Sequence, residues 1–200
     1  MPSSTTAIGC RVKSGWAMTV LLAGPVDSPR VLDRRRIELS DPSVPDTIQP
    51  YHVGLHAERT DAGAIEQLTR LVARCAHQEL AGLVRAYRAM GHQPTRIGIV
   101  VGSIIDPATI ANPHIRAHAQ EGRLFRTVVE AAAKELGIAS AVLVERDLYA
   151  TAARTLGGSP GRLQRAATDL GRTVGRPWAA QEKTAVVAAW LALTGYRATR

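Results

Sequence analysis

The pattern of apolar and polar positions divides the chain into three short strand-like runs followed by a regular exchange of helix and strand. Residues 7–12 and 16–23 are apolar runs separated by Lys13, Ser14 and Gly15, and Gly24 and Pro25 end the second run. Residues 30–39 form a third run, with Val31, Ile37 and Leu39 among its apolar positions. Three strands joined by short turns predict an antiparallel meander. Pro42, Pro45 and Pro50 then mark a loop. Over residues 61–90 the apolar positions Ile65, Leu68, Leu71, Val72, Cys75, Leu83, Val84 and Tyr87 recur at helical spacing, and Gly91 supplies the stop. Residues 96–101 (RIGIVV) are too uniformly apolar for a half-solvated strand and read as a central parallel one. A loop over 102–113, a helix over 114–136 ending at Gly137, and a fifth strand at 141–145 (AVLVE) follow. Asp147 is placed to cap a short helix reaching Leu156. Gly157, Gly158 and Pro160 break that helix, and helical patterns resume over 161–171 and 179–193.

A meander followed by two right-handed crossovers predicts a mixed sheet of order 3-2-1-4-5, with the first, fourth and fifth strands parallel. Ligands of such sheets bind beyond the carboxyl ends of the strands at the switch point, here between the first and fourth. The expected organisation is a disordered tail at 1–6, a single α/β domain at 7–195 and a basic tail at 196–200.

Composition narrows the classes. At 200 residues and 46% hydrophobic content the chain can bury a core, and with 4% aromatics that core must be built of Leu, Val, Ile and Ala. The formal charge of +8 favours phosphate-bearing partners, nucleic acid among them, although compositional drift produces the same excess. The two cysteines, Cys10 and Cys75, fall at apolar positions without zinc-site spacing, which fits a reducing, cytoplasmic setting. Arg11 and Lys13 ahead of the apolar run 16–23 imitate the start of a signal peptide, but no small-residue cleavage site follows, and the strand reading is preferred. No apolar run is long enough to span a membrane, so no membrane partner is expected.

Two stretches carry a resemblance. Residues 7–22 (AIGCRVKSGWAMTVLL) are similar to the opening hairpin of the ribonuclease H-like superfamily, and residues 181–193 (QEKTAVVAAWLAL) to its last helix. With the strand order, the chain resembles the Holliday-junction-resolvase and actin-like branches. The resemblance implies a ribonuclease H-like sheet flanked by helices and, in the nucleases, clustered carboxylates holding two divalent metals. One carboxylate belongs on the first strand, where this chain has Cys10, Arg11, Val12 and Lys13, and another on the fourth, where RIGIVVGS has none. Only Glu182 could match a family carboxylate, and Lys13 is its expected partner, a cation standing in for the metal's charge. No phosphate loop of the G-x-x-x-x-G-K-[ST] type supports nucleotide binding. The resemblance thus implies a nucleic-acid-associated protein with a non-standard or degenerate active site, and leaves open whether it is an enzyme.

The densest polar constellation follows the fourth strand: Ser103, Asp106, Asn112, His114, Arg116, His118, Glu121 and Arg123. His114 and His118 are four residues apart and share a helix face, so they could hold a divalent metal if a third ligand arrives from elsewhere. His52 and His56 repeat the spacing. Exposed histidines on a helix are common, and no metal or other cofactor is implied by the pair alone. Lys13, Ser103, Arg116 and Arg123 are the candidate anion-binding residues, Arg116 with the helix N-terminus beside it. A second reading is a small-substrate enzyme with His114 as general base and Glu145, Asp106 or Glu182 nearby as the catalytic carboxylates. A third is a dimeric interaction module, a homodimer through residues 183–193 with Trp190 at its centre. Arg34, Arg35 and Arg36 could track a nucleic-acid backbone, but guard an edge strand more readily. Trp16, Trp178 and Trp190 read as core rather than as base-stacking platforms.

Overall fold

The computed structural model describes residues 5–54 and 57–197. Strands β1 (Thr6–Lys13), β2 (Trp16–Ala23) and β3 (Arg30–Glu38) form the meander. β4 (His52–Val53) and β5 (Ala57–Glu58) make a two-stranded pair in the stretch between the expected proline loop and the expected first helix. Helix α1 (Ala62–Ala89) leads to β6 (Arg96–Val101), and α2 (Pro113–Glu135) leads to β7 (Ala139–Val144). Helices α3 (Leu148–Leu156), α4 (Pro160–Leu170) and α5 (Ala180–Leu193) complete the chain.

The main sheet has the order β3-β2-β1-β6-β7, and β4–β5 is separate from it. The expected five strands are therefore present in their expected neighbour relations, with two further short strands that shift the numbering. β1 pairs parallel with β6, Ile8 opposite Ile97 and Arg11 opposite Val100. β6 pairs parallel with β7. Their carboxyl ends consequently lie along one edge.

Period-two alternation sorts β1 and β6 between two cores. Ile8, Cys10, Val12, Ile97, Ile99 and Val101 pack with α1 and α2 residues such as Val72, Leu80, Tyr87, Phe125 and Val129. Ala7 and Val100 face the opposite core, built largely from α5 and reinforced by Leu148, Leu163 and Ala167. Beyond its polar first turns, from Ala185 to Leu193, α5 is apolar around its whole circumference, which is the pattern of a helix enclosed by its own domain. It packs on β1, β2 and β6, with Ala185 to Ala189 fully buried. Glycines allow the contact: a Cβ on Gly9 would stand 1.8 Å from the Ala185 carbonyl oxygen, and one on Gly98 would stand 2.4 Å from that of Ala188.

Helix starts follow the capping rules, with one correction. Asp61 accepts from the Ala64 N–H at 3.0 Å, and Asn112, ahead of Pro113, accepts from the Ile115 N–H at 3.1 Å. Asp147 makes no side-chain cap, because its backbone belongs to a tight turn over Glu145–Asp147 and its carboxylate faces Arg146 at 3.4 Å.

A second correction concerns α5. The expected dimer face is occupied by this chain's own sheet, and the Trp190 indole N–H donates to the Val26 carbonyl at 2.6 Å. An all-apolar helix fills its own core before it can serve a partner. Trp16 and Trp178 are half-buried like Trp190, Trp178 donating to the Ala167 carbonyl at 2.8 Å.

Candidate functional site

At the carboxyl ends of β1 and β6 a crevice of about 200 Å³ opens between the sheet and α2, lined by Arg11, Lys13, Ser14, Ser103, His118, Arg123 and Arg126 among others. Among the described residues, no carboxylate belongs to its lining. Arg11 is the innermost cation and is 2% exposed. Its Nη1 donates to the Val12 carbonyl at 2.7 Å and the Val100 carbonyl at 3.4 Å. Its Nε donates to Glu145 Oε1 at 3.2 Å while Nη2 donates to Oε2, a two-pronged pair that fixes both planes. Glu145 sits just beyond β7 and is 43% exposed, so the buried end of the pair is the cation. Cys10 beside it faces the α1/α2 core, and burial pushes its thiol up to about 12.

The expected residues divide between this crevice and other places. Lys13, Ser103 and Arg123 all line it, and Glu145 reaches its floor through Arg11. Among the described residues Lys13 makes no ion pair, whereas Arg123 stands 3.9 Å from Asp106. Asp106 caps its own short turn by accepting from the Ala108 N–H at 3.2 Å. Arg116 is committed to Glu58 through two donors, Nε at 2.9 Å, and to the Ile110 carbonyl at 3.0 Å.

The expected Lys13–Glu182 pair does not form. Glu182 instead accepts from the Ala179 N–H at 3.0 Å, capping α5, and faces Arg34 on β3 at 3.6 Å. The two reasons are local: the helix start claims the Glu182 carboxylate, and Arg11, one pleat deeper than Lys13, is the cation that reaches Glu145. Of the basic run, Arg35 pairs with Asp33 and Arg36 with Glu38, both at 2.6 Å, on a strand that is indeed the sheet edge.

A second constellation lies beside the crevice. His114 and His118 share a face of α2, and Glu121 follows one turn later. β4 brings His52 against them. The ring centroids are 5.2 Å apart for His52–His114, 4.4 Å for His52–His118 and 4.6 Å for His114–His118. His52 Nδ1 lies 2.7 Å from Glu121 Oε1, and its Nε2 lies 3.3 Å from His114 Nδ1. Glu121 is fully buried, and burial pushes its carboxyl up against the opposing pull of His52 and His118. Arg59 holds the β4–β5 pair in place by donating to the carbonyls of Pro50 at 3.0 Å and His52 at 2.9 Å. The Arg116–Glu58 pair then ties β5 to α2. Sequence spacing pairs His52 with His56, which lies outside the described residues, and does not connect His52 to Glu121. The helical spacing of His114, His118 and Glu121 is visible in the sequence; the approach of His52 across the loop is not.

Placement weakens the acid–base reading centred on His114. Asp106 is engaged as a cap, Glu145 by Arg11 and Glu182 by α5, while the carboxylate in the histidine group is Glu121.

No family model matches the chain, and no curated protein matches it in sequence. Several solved structures match its fold, two of them of RuvC. A structure of Thermus thermophilus RuvC has a TM-score of 0.56 at 11% identity, covering 96% of this chain and 97% of that one. A second structure, T. thermophilus RuvC in complex with Holliday junction substrate, has a TM-score of 0.52 at 10% identity, covering 93% and 90%. The fold is therefore ribonuclease H-like over nearly the whole chain.

Proposed function

We propose that this ribonuclease H-like protein binds the phosphate backbone of nucleic acid at the β1/β6 crevice and that its catalytic end is degenerate. The observation that carries the reading is the crevice lining: Arg11 buried at its floor, Lys13 and Arg123 at its mouth, Ser103 as a hydroxyl donor, and no carboxylate among the described residues. A net charge of +8 adds long-range attraction for a polyanion. The similar RuvC structure solved with a Holliday junction makes branched DNA the first substrate to try.

The two divalent metals that the fold family implies do not fit this crevice. They would meet the Arg11 guanidinium and the Lys13 ammonium, and Glu145 already has a cation as its partner. No cleavage step is derived through them. What the residues can do is hold phosphate oxygens: Lys13 and Arg123 as charge partners, Ser103 as a donor, and Arg11 as a fixed positive floor that cannot lose its proton. Two free cysteines are compatible with a cytoplasmic setting. Among the described residues no helix is long and apolar enough to cross a membrane.

The test is fluorescence anisotropy at low salt with a four-way DNA junction, a DNA duplex and an RNA–DNA hybrid, followed by incubation of each with Mg²⁺ or Mn²⁺. Binding without cleavage is expected, for the wild type and for Glu182→Ala alike. Absence of binding to all three would remove the reading, and wild-type cleavage lost in Glu182→Ala would overturn the degenerate site.

A further inference from the structure

We propose that His52, His114 and His118 form a binding site for a divalent ion of the zinc class, oriented by Glu121 and independent of the crevice's own role. One candidate ligand nitrogen from each ring lies within 4.8 Å of the other two. For His52 Nε2 and His114 Nδ1 the separation is 3.3 Å. Zinc–nitrogen bonds of about 2.0–2.1 Å in tetrahedral geometry place two ligand nitrogens about 3.3–3.4 Å apart, so this pair already has the spacing an ion requires. His118 is 48% exposed and its ring can turn into the third position without disturbing the core.

Glu121 supplies what a metal-bound imidazole needs behind it. As a carboxylate it accepts the His52 Nδ1–H, which leaves the lone pair on Nε2, the atom that faces His114. Its other oxygen, Oε2, is buried without a hydrogen bond and lies 3.4 Å from His118 Nδ1. A small shift of His118 onto an ion would bring that nitrogen into hydrogen-bond range, so one fully buried carboxylate would orient two of the three rings.

Three imidazoles with no thiolate select zinc, cobalt, nickel or copper over magnesium or calcium, which take oxygen ligands. Among the described residues the group contains no fourth ligand. A site with three protein ligands keeps one position for water or an incoming oxygen. His118 also lines the crevice, so a phosphate oxygen held there is within the same neighbourhood.

The experiment is calorimetric titration of the chelator-treated full chain with Zn²⁺, and visible spectroscopy with Co²⁺. One zinc per chain, and the intense visible bands of tetrahedral cobalt displaced by zinc, are expected. Glu121→Gln should weaken zinc binding about 10- to 100-fold, and His118→Ala should weaken it further. His118 is half-exposed, so its removal leaves the fold intact, which circular dichroism would verify. His77→Ala, on the exposed surface of α1, should change nothing. Equal zinc affinity in wild type and folded His118→Ala, or cobalt bands that survive His118→Ala unchanged, would overturn the proposal. Because nucleic-acid binding is read separately by anisotropy with metal chelated, failure of the metal site leaves the crevice reading standing.

Discussion

Arg11 is 2% exposed and satisfies two backbone carbonyls as well as Glu145, so its replacement removes packing and hydrogen bonds together. Arg11→Ala should destabilise the protein by about 3 kcal/mol, from the cavity and from the Val12 and Val100 carbonyls left without their donor. Glu145→Gln should cost about 2 kcal/mol: the amide oxygen keeps one prong of the pair, but the amide N–H2 faces the other guanidinium donor and the buried Arg11 cation loses its counter-charge. Urea unfolding compares the wild type with both variants, and an Arg11→Ala loss no larger than that of Glu145→Gln would show that Arg11 is not the structural floor of the crevice. Cys10 is fully buried with its thiol pushed up to about 12, whereas Cys75 is half-buried. Iodoacetamide in native buffer should therefore alkylate Cys75 and spare Cys10, as peptide mass spectrometry would record, and native labelling of Cys10 would contradict its packing. The role of Arg11 is only half legible in the sequence. Alternation along β1 places Arg11 and Lys13 on one face with Gly9, but nothing in a one-dimensional pattern says that the deeper cation reaches a carboxylate beyond β7 while the outer one makes no ion pair among the described residues.

At the scale of elements, α5 and the β4–β5 pair teach opposite lessons. The all-apolar run of α5 and the glycines at the centres of β1 and β6 are plain in the sequence, and the close approach they permit follows from the helix having no polar face. Gly9→Ala should cost about 3 kcal/mol or more, because the new methyl meets the backbone of α5 rather than a side chain able to move. A thermal midpoint close to wild type would mean that α5 can shift at little cost. The β4–β5 pair is illegible in the sequence: two residues per strand just after Pro50 leave no periodicity, and what holds them are Arg59 beside β5 and, from α2, Arg116. Arg116 holds the Glu58 carboxyl below the usual glutamate range by hydrogen bonding. A depressed carboxyl contributes stability above its unfolded value and loses it as the pH falls through the folded value. Glu58→Gln should therefore lower the melting temperature at neutral pH, with the difference closing as the pH drops through and below the glutamate range. A difference independent of pH would assign the loss to packing instead.

The whole molecule combines a fold that is readable from strand order with a crevice edge that is readable only as a deficit. Sequence shows that the carboxylates expected on the first and fourth strands are missing; the structure shows that a buried guanidinium and a basic crevice stand at that edge. With a net charge of +8, general attraction to nucleic acid is expected from any surface of the protein, so binding alone does not locate it. Salt dependence does. Removing one cation that touches a phosphate makes the slope of log K against log salt shallower by about 1, and charges that touch none leave the slope nearly unchanged. The decisive measurement is that slope for a four-way DNA junction, in wild type and in the Lys13→Gln/Arg123→Gln double variant. The crevice account predicts linear, salt-weakened binding by the wild type and a slope shallower by about 2 in the variant. An unchanged slope, or no wild-type binding even at low salt, would contradict it.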